Sequence, residues 1–397
     1  MRVPHYRQVF SKLSETFIYD RLTELERQGV DNHVVTRERT NAETRPFPSI
    51  TKVDWPKKWD PWRLVSGIRY RLDPRRNGQE SYRQEPCRRL AAVARGISAD
   101  VIHAHFGREG IFIAPVAERL GIPLVVTFYG YDISSLPQKE GWREKYRALW
   151  KQVGAITVLS EEMRRRVQEL GCPEEKLTVV HLSRHLDQFP FRPLASDVKT
   201  VLFVGRLTPK KAPLDALRAV QRANEIGAGL HLEVIGDGEC RDETERYVDE
   251  HDLAETVTLR GYLSNEKVGA RMRAADVFLL SSKTAPNGDR EGTPTVLVEA
   301  QATGLPCVTT RHSGIPEMIP RANQHLLVEE GNVEGLADAL CDVTESDPEE
   351  LKAIARRGRE KVERDFKLSK EVKTLRSTYQ RLHSSREVHW GNRRLCR

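Results

Sequence analysis

Val201-Leu202-Phe203-Val204-Gly205-Arg206-Leu207-Thr208-Pro209-Lys210-Lys211-Ala212-Pro213 decides how this chain folds. Four consecutive apolar residues stop at a glycine, a cationic loop follows, and a proline opens a helix-periodic segment. A strand apolar on both faces belongs in a parallel sheet covered by helices on either side. Proline at the first helical position costs no hydrogen bond, because that N–H has no intrahelical partner. The stretch therefore reads as a strand, a loop and a helix, one unit of a doubly wound sheet.

The same alternation runs outward in both directions. Upstream, strands read at Asn32–Val35, Asp100–His105, Leu124–Phe128, Ala155–Leu159 and Leu177–Leu182, with helices such as Thr16–Gln28, Gly110–Leu120 and Glu161–Leu170 between them. Downstream, strands read at Leu232–Ile235, Val257–Leu259, Val277–Leu280, Cys307–Thr309 and His325–Val328. Helices fall at Pro213–Ile226, Arg241–His251, Asn265–Ala274, Pro294–Thr303 and Val333–Val343. Two such series imply an α/β protein with two Rossmann-like domains. Arg184–Pro193 breaks both periods and carries two prolines, which places the linker there. The expected domains are 1–185 and 194–365. One feature resists the scheme: Pro4 leaves too few residues ahead of Ser14 for a buried first strand, so either that strand is very short or the true start lies upstream.

Composition sets the class. The chain has 397 residues, 39% hydrophobic and 30% charged, with a net charge of +7. No apolar run approaches the roughly 18 residues that span a bilayer, and no signal segment follows Met1. Six cysteines are scattered with no CxxC pair, which argues against a zinc site or a disulfide framework and for a reducing, cytoplasmic setting. Basic and aromatic residues interleave within 52–95, as in Lys57-Lys58-Trp59-Asp60-Pro61-Trp62-Arg63. That segment is either a solvated insertion or a patch for anionic lipid. No nucleic-acid motif accompanies the charge.

The chemistry concentrates in the second half. Arg206 follows the glycine at a strand's carboxyl end, where open sheets bind ligands, and Lys211 lies five residues on. A planar fork and a mobile point charge suit a pyrophosphate. Gly236-Asp237-Gly238 ends another strand, but Arg241 and Asp242 break a dinucleotide fingerprint. In Glu291-Gly292-Thr293-Pro294-Thr295-Val296-Leu297-Val298-Glu299-Ala300, Thr293 reads as a helix N-cap and Pro294 as the first helical residue. The free amides there favour phosphate. Glu291 projects toward the sugar end, and Glu299, about 9 Å along the axis from Thr293, toward a ribose.

Gly205-Arg206 with Lys211, Gly236-Asp237-Gly238, the Glu291/Glu299 pair and Ser313-Gly314-Ile315-Pro316-Glu317 stand in the order and spacing of retaining family-4 glycosyltransferases of GT-B fold. Ser14-Glu15-Thr16-Phe17-Ile18 and Thr127-Phe128-Tyr129-Gly130-Tyr131-Asp132 resemble the bacterial enzymes of exopolysaccharide and colanic-acid-type synthesis. The resemblance implies two domains facing a cleft, with a C-terminal helix at about 369–383 returning to the first, and leaves 384–397 as a poorly ordered tail. It implies a hexosyl transfer with retention from a UDP- or GDP-sugar to a glycan or polyprenyl-linked acceptor, at the cytoplasmic face of the inner membrane. No other cofactor is implied. Arg206, Lys211 and Glu291 would be catalytic. Gly205, Gly236, Gly238, Gly292, Thr293, Thr295 and Glu299 would hold the donor, with Gly314 lining the nucleotide pocket. Ser14, Glu15, His105 and Tyr129 would face the acceptor side. Tyr129 stands where many relatives carry His, and Ala212 where Gly is common. No D-x-D occurs, so no metal is expected. The alternatives are a nucleotide-sugar 2-epimerase of the same fold and a non-catalytic nucleotide-sugar-binding scaffold on the membrane.

Overall fold

The structure, a computed structural model, describes residues 1–53, 87, 90–192 and 198–394. In the first half lie β1 (Arg2–Tyr6), β2 (Val9–Phe10), β3 (Asp31–Thr36), β4 (Glu38–Arg39), β5 (Ile50–Lys52), β6 (Ile102–His105), β7 (Leu124–Thr127), β8 (Ala155–Val158) and β9 (Leu177–Val179). Helices α1 (Thr16–Arg27), α2 (Gly107–Leu120), α3 (Trp142–Gln152) and α4 (Glu161–Glu169) run between them. The sheet order is β5-β3-β1-β6-β7-β8-β9, with a separate β2–β4 pair. Every pairing is parallel.

The second half holds β10 (Thr200–Val204), β11 (His231–Ile235), β12 (Val257–Leu259), β13 (Val277–Leu280), β14 (Cys307–Thr310) and β15 (Leu327–Val328). Its helices are α5 (Pro213–Glu225), α6 (Arg241–Glu250), α7 (Asn265–Ala274), α8 (Thr295–Thr303), α9 (Ile315–Met318), α10 (Val333–Glu345), α11 (Pro348–Asp365) and α12 (Leu368–Arg394). The order β12-β11-β10-β13-β14-β15 is again parallel throughout. Val201, Leu202 and Phe203 are fully buried, as a run apolar on both faces requires. The strand order reverses between β1 and β6 and between β10 and β13. Loops leaving those strands therefore open the crevices in which doubly wound sheets bind ligands.

The first strand does form. Five residues suffice, and the ladder to β6 begins only at His5, so the missing amide of Pro4 falls ahead of it. Near the linker, Arg184 N–H donates to the Phe366 carbonyl, and Leu368 N–H donates to the Arg184 carbonyl. The chain thus passes between the domains twice, side by side, in an Arg184–Lys367 bridge. Beyond it, Leu368, Val372, Leu375 and Tyr379 of α12 pack on Val3, Leu25, Val101 and Val125 of the first domain. This helix does not stop near 383 but runs to Arg394. Ser384, Ser385 and Arg386 carry no proline or glycine to end it. The segment 52–95 falls largely at 54–86 and 88–89, outside the described residues, so the lipid-patch expectation lies there too. Among the described residues no helix is long and apolar enough to cross a membrane.

Candidate active site in the interdomain cleft

Loops at the carboxyl ends of β10, β11, β13 and β14 assemble the second-domain wall. A Cβ on Gly236 would lie 1.8 Å from the Gly205 carbonyl oxygen, and one on Gly238 2.4 Å from that of Leu207. These glycines are required first by two loops lying in backbone contact. Lys211 ends a 3-10 turn, Pro209–Lys211, and its aliphatic stem packs beneath Gly205. Its Nζ reaches Glu291 Oε2 at 3.3 Å. Burial depresses the lysine's pKa, with Glu291 opposing. Burial also pushes Glu291 upward, yet Lys211, Lys210 and His312 together hold its carboxyl below the ordinary range. Lys210 pairs with Asp289 at 3.0 Å. Arg206 is exposed, with no ion-pair partner among the described residues.

The loop carrying Glu291 is gripped at its backbone. Glu291 N–H donates to His312 Nε2 at 3.0 Å, and Ser313 Oγ donates to the Glu291 carbonyl at 2.8 Å. Glu291 Oε1 and Thr293 Oγ1 are buried without a hydrogen-bond partner. A buried polar atom left unpaired costs about 1–3 kcal/mol, so the protein holds these oxygens at a disadvantage that a ligand's hydroxyls would remove. The expected cap is displaced by one residue. Pro294 is the N-cap, the helix begins at Thr295, and Thr293 makes no capping bond. Proline's ring fixes the turn without a side-chain cap, leaving the Thr293 hydroxyl free.

Glu299, the expected ribose ligand, sits on α8 with Oε1 2.9 Å from Arg184 Nε. Arg184 also holds Asp20 of α1 at 2.7 Å. Burial raises the Glu299 pKa and Arg184 opposes it. This bridge joins α8, on the second domain's side of the cleft, to the interdomain crossing. Nothing in the sequence announced it beyond one arginine at the head of a segment without periodicity.

Facing this wall, the first domain presents polar groups of its own. Ser14 is exposed. Glu15 takes a two-pronged bond from Arg7 at 2.8 and 2.7 Å, and Arg7 also binds Glu109 and lies over the Phe106 ring. His105 and Tyr129 are turned inward. Arg21 donates to the Tyr129 hydroxyl at 2.8 Å, and that hydroxyl lies 2.7 Å from His105 Nδ1. His105 Nε2 then meets His5 Nδ1 at 3.2 Å, and His5 Nε2 meets Asn32 Oδ1 at 2.9 Å. The Asn32 amide nitrogen donates to backbone carbonyls, so its oxygen accepts and the whole line is ordered with both rings neutral. Burial drives the His5 pKa down to about 3, and those of His103 and His105 well below the usual value. His5, His103 and His105 bring ring nitrogens within 4.8 Å of one another. His103 is occupied as well, by Tyr379 at 2.6 Å and Thr127 at 2.7 Å. A cation entering there would break these bonds beside a buried arginine.

The two walls touch. A Cβ on Gly292 would meet the Tyr129 carbonyl at 2.4 Å, and one on Gly314 the Ser160 side chain at 2.8 Å. Gly314 is thus needed at the domain contact. Glu317 sends both carboxylate oxygens to the first amides of α4, Glu161 N at 2.8 Å and Glu162 N at 2.9 Å. A carboxylate at a helix N-terminus meets unpaired N–H groups and the positive end of the dipole. Ser313–Glu317 is legible in the sequence as a motif, but these contacts are not.

Two facing parallel-sheet domains with the ligand loops at their cleft define a GT-B fold. A structure of HepE from Anabaena, in complex with UDP and glucose, superimposes with a TM-score of 0.75 at 17% identity, covering 96% of this chain and 99% of that one. Sucrose-phosphate synthase from Thermosynechococcus elongatus gives 0.74 at 16% identity, covering 97% and 100%. Residues 187–361 match the family described as glycosyl transferases group 1, and residues 14–183 the glycosyl transferase 4-like domain. The chain is 30% identical over 392 residues to the protein named as the colanic acid biosynthesis glycosyltransferase WcaL of Escherichia coli (strain K12), covering 92% of this chain and 96% of that protein. It is 31% identical over 281 residues to the amylovoran biosynthesis glycosyltransferase AmsK of Erwinia amylovora, covering 70% and 69%. The chain belongs to the group 1 glycosyl transferases, in the branch of bacterial exopolysaccharide enzymes.

Proposed function

We propose that this glycosyltransferase moves a hexose, with retention of configuration, from a UDP- or GDP-sugar to a glycan or polyprenyl-linked saccharide. The observation that carries the reading is the convergence at one cleft of exposed Arg206, half-buried Lys211 and the start of α8 with two unpartnered oxygens, Glu291 Oε1 and Thr293 Oγ1. Cations and free amides suit the diphosphate, and the orphaned oxygens suit the hydroxyls of the sugar beside it. In the free protein Lys211 rests on Glu291; an arriving diphosphate gives the ammonium a second anion. As the glycosidic bond to phosphate breaks, negative charge grows on the leaving oxygen, and Lys211 and Arg206 stabilise it. Front-face attack lets that oxygen take the acceptor's proton. Fixed cations in this role make a bridging metal unnecessary, in keeping with the missing D-x-D.

A relative supports the acceptor class. The UDP-Gal:alpha-D-GlcNAc-diphosphoundecaprenol alpha-1,3-galactosyltransferase of Escherichia coli is 26% identical over 301 residues, covering 70% of this chain and 75% of that protein. An acceptor of that kind would place the enzyme at the cytoplasmic face of the inner membrane.

A thermal-shift panel of UDP-, GDP- and ADP-sugars tests the donor, since a ligand at about 100 times its Kd stabilises by roughly 2.7 kcal/mol. With the stabilising donor, nucleotide should be released only when acceptor is supplied, and NMR of the product should show the donor's anomer in the presence of EDTA. Acceptor-independent conversion of the sugar would instead indicate a 2-epimerase. Arg206→Ala and Lys211→Ala should each lower turnover by about 100- to 1,000-fold. Near-normal turnover in both variants sinks the reading.

A further inference from the structure

The grip on Glu291 is asymmetric in its chemistry. Its carbonyl is held by a serine hydroxyl, which donates at any pH, whereas its N–H is held by an imidazole nitrogen, which accepts only while unprotonated. His312 Nε2 takes the Glu291 N–H at 3.0 Å. Its Nδ1 is 2.6 Å from Glu330 Oε1, and the other Glu330 oxygen accepts the Thr284 N–H at 2.8 Å. With Nε2 already accepting, the ring's proton must sit on Nδ1 and point at Glu330. The Thr310 hydroxyl, two residues earlier, donates to the Ser282 carbonyl. Thr310, His312 and Ser313 thus fasten the loop after β14 to both ends of the loop bearing Glu291.

We propose that His312, oriented by Glu330, is a positioning residue that sets Glu291 against the donor sugar, and that it works only as the neutral Nδ1–H tautomer. This rests on the reading of Glu291 as the sugar-facing carboxylate. His312 is fully buried. Glu330 and Glu291 face it as anions. Arg290 stands beside it as a cation, itself 3.6 Å from Glu330 and 3.5 Å from Glu162 of α4. Lys211 lies beyond, on the far side of Glu291. Burial, the largest influence, lowers the His312 pKa below the usual 6.5, with Glu330 opposing. The neutral ring is therefore the form present at neutral pH. As pH falls through that lowered pKa, Nε2 gains a proton that points at the Glu291 N–H. Two donors then face each other, and the Glu291 backbone must move. The diphosphate cations Arg206 and Lys211 are not fastened by this imidazole. The defect should therefore fall on turnover rather than on nucleotide affinity.

The experiment uses the full chain and whichever nucleotide sugar it turns over in the donor panel. His312→Ala should lower kcat by roughly 10- to 100-fold, the range of a lost supporting contact. UDP or GDP affinity by calorimetry should change by less than about threefold, as uniform binding is untouched. His312→Gln offers an amide oxygen near the position of Nε2. It should recover most of kcat and, having no titrating ring, should lack the fall in kcat expected of the wild type below pH 6.5. Should His312→Ala not fold, the pH profile of the Gln variant carries the test alone. A Gln variant with the wild-type acid limb, or an Ala variant with wild-type kcat, overturns the inference. Retained nucleotide affinity in Lys211→Ala and Arg206→Ala would instead remove the donor-site reading beneath it.

Discussion

The two domains share a topology and differ in what they do with polar groups. In the first, polar side chains run through the middle of the molecule. His5, His103, His105, Asn32, Thr127 and Arg21 are all essentially inaccessible, and each is hydrogen-bonded. In the second, the core is largely apolar, Glu233 in the middle of β11 is bound by Arg260 and Arg271, and several buried polar groups lie at the strand ends. There Ser282, Glu291 and Thr293 carry atoms with no partner. Along the first domain's line every imidazole, amide and hydroxyl named here is satisfied from within, although Arg21 Nη2 is left without a partner. In the second domain the partnerless oxygens of Glu291 and Thr293 stand at the cleft instead.

Breaking the internal line should have the largest consequence for folding. Arg21 Nε lies 2.6 Å from Glu371 on α12, and both side chains are buried. Glu371→Ala leaves a cation stranded in the interior and should cost about 3–5 kcal/mol of stability, read by urea denaturation. Adding Arg21→Met should restore much of it, and a single variant within 1 kcal/mol of wild type would show that the pair is not needed. A comparable free energy should appear in the rate for Lys211→Ala, about 3–4 kcal/mol of barrier, with the fold kept. Acidification sharpens the contrast more gently. The His5 pKa lies near 3 in the folded state against an ordinary 6.5. The unfolded chain therefore binds a proton that the folded one refuses, and stability present above pH 6.5 is lost as pH falls toward 3. Hydrogen exchange at pH 5 should show β1 and β6 loosening before β10 and β13; equal protection would contradict the assignment. The smallest effect is expected at Thr293→Val. Removing an unpaired hydroxyl should leave the free protein as stable, or up to about 1 kcal/mol more so, while weakening the donor that stabilises wild type in thermal shift.

This division also explains what the sequence disclosed. Strands of the second domain were legible where short apolar and β-branched runs are bounded by charged segments: Val257-Thr258-Leu259 and Val277–Leu280 match residue for residue. β1 was obscured by Pro4 and by His5, a polar residue at a core position that only distant partners explain. The 327–328 strand was overdrawn, since Arg321–Leu326 forms a 3-10 helix. Helices α3 and α11 went unplaced because charged faces of Trp142–Gln152 and Pro348–Asp365 mask their stripes. At the site, residues in a continuous stretch were readable: Arg206, Lys211 and Glu291 stand on one wall. Arg184, His312 and Glu330 were not, because each acquires its role from a residue far along the chain. His105 was read toward the cleft because it ends a strand, and Tyr129 because it stands where many relatives carry His; their hydrogen bonds turn them inward instead.

The bridge between Arg184 and Lys367 gives the molecule a double spine. Beside it, Asp20 of the first half and Glu299 of the second both rest on the Arg184 side chain, so the joint is tied by charge as well as by backbone.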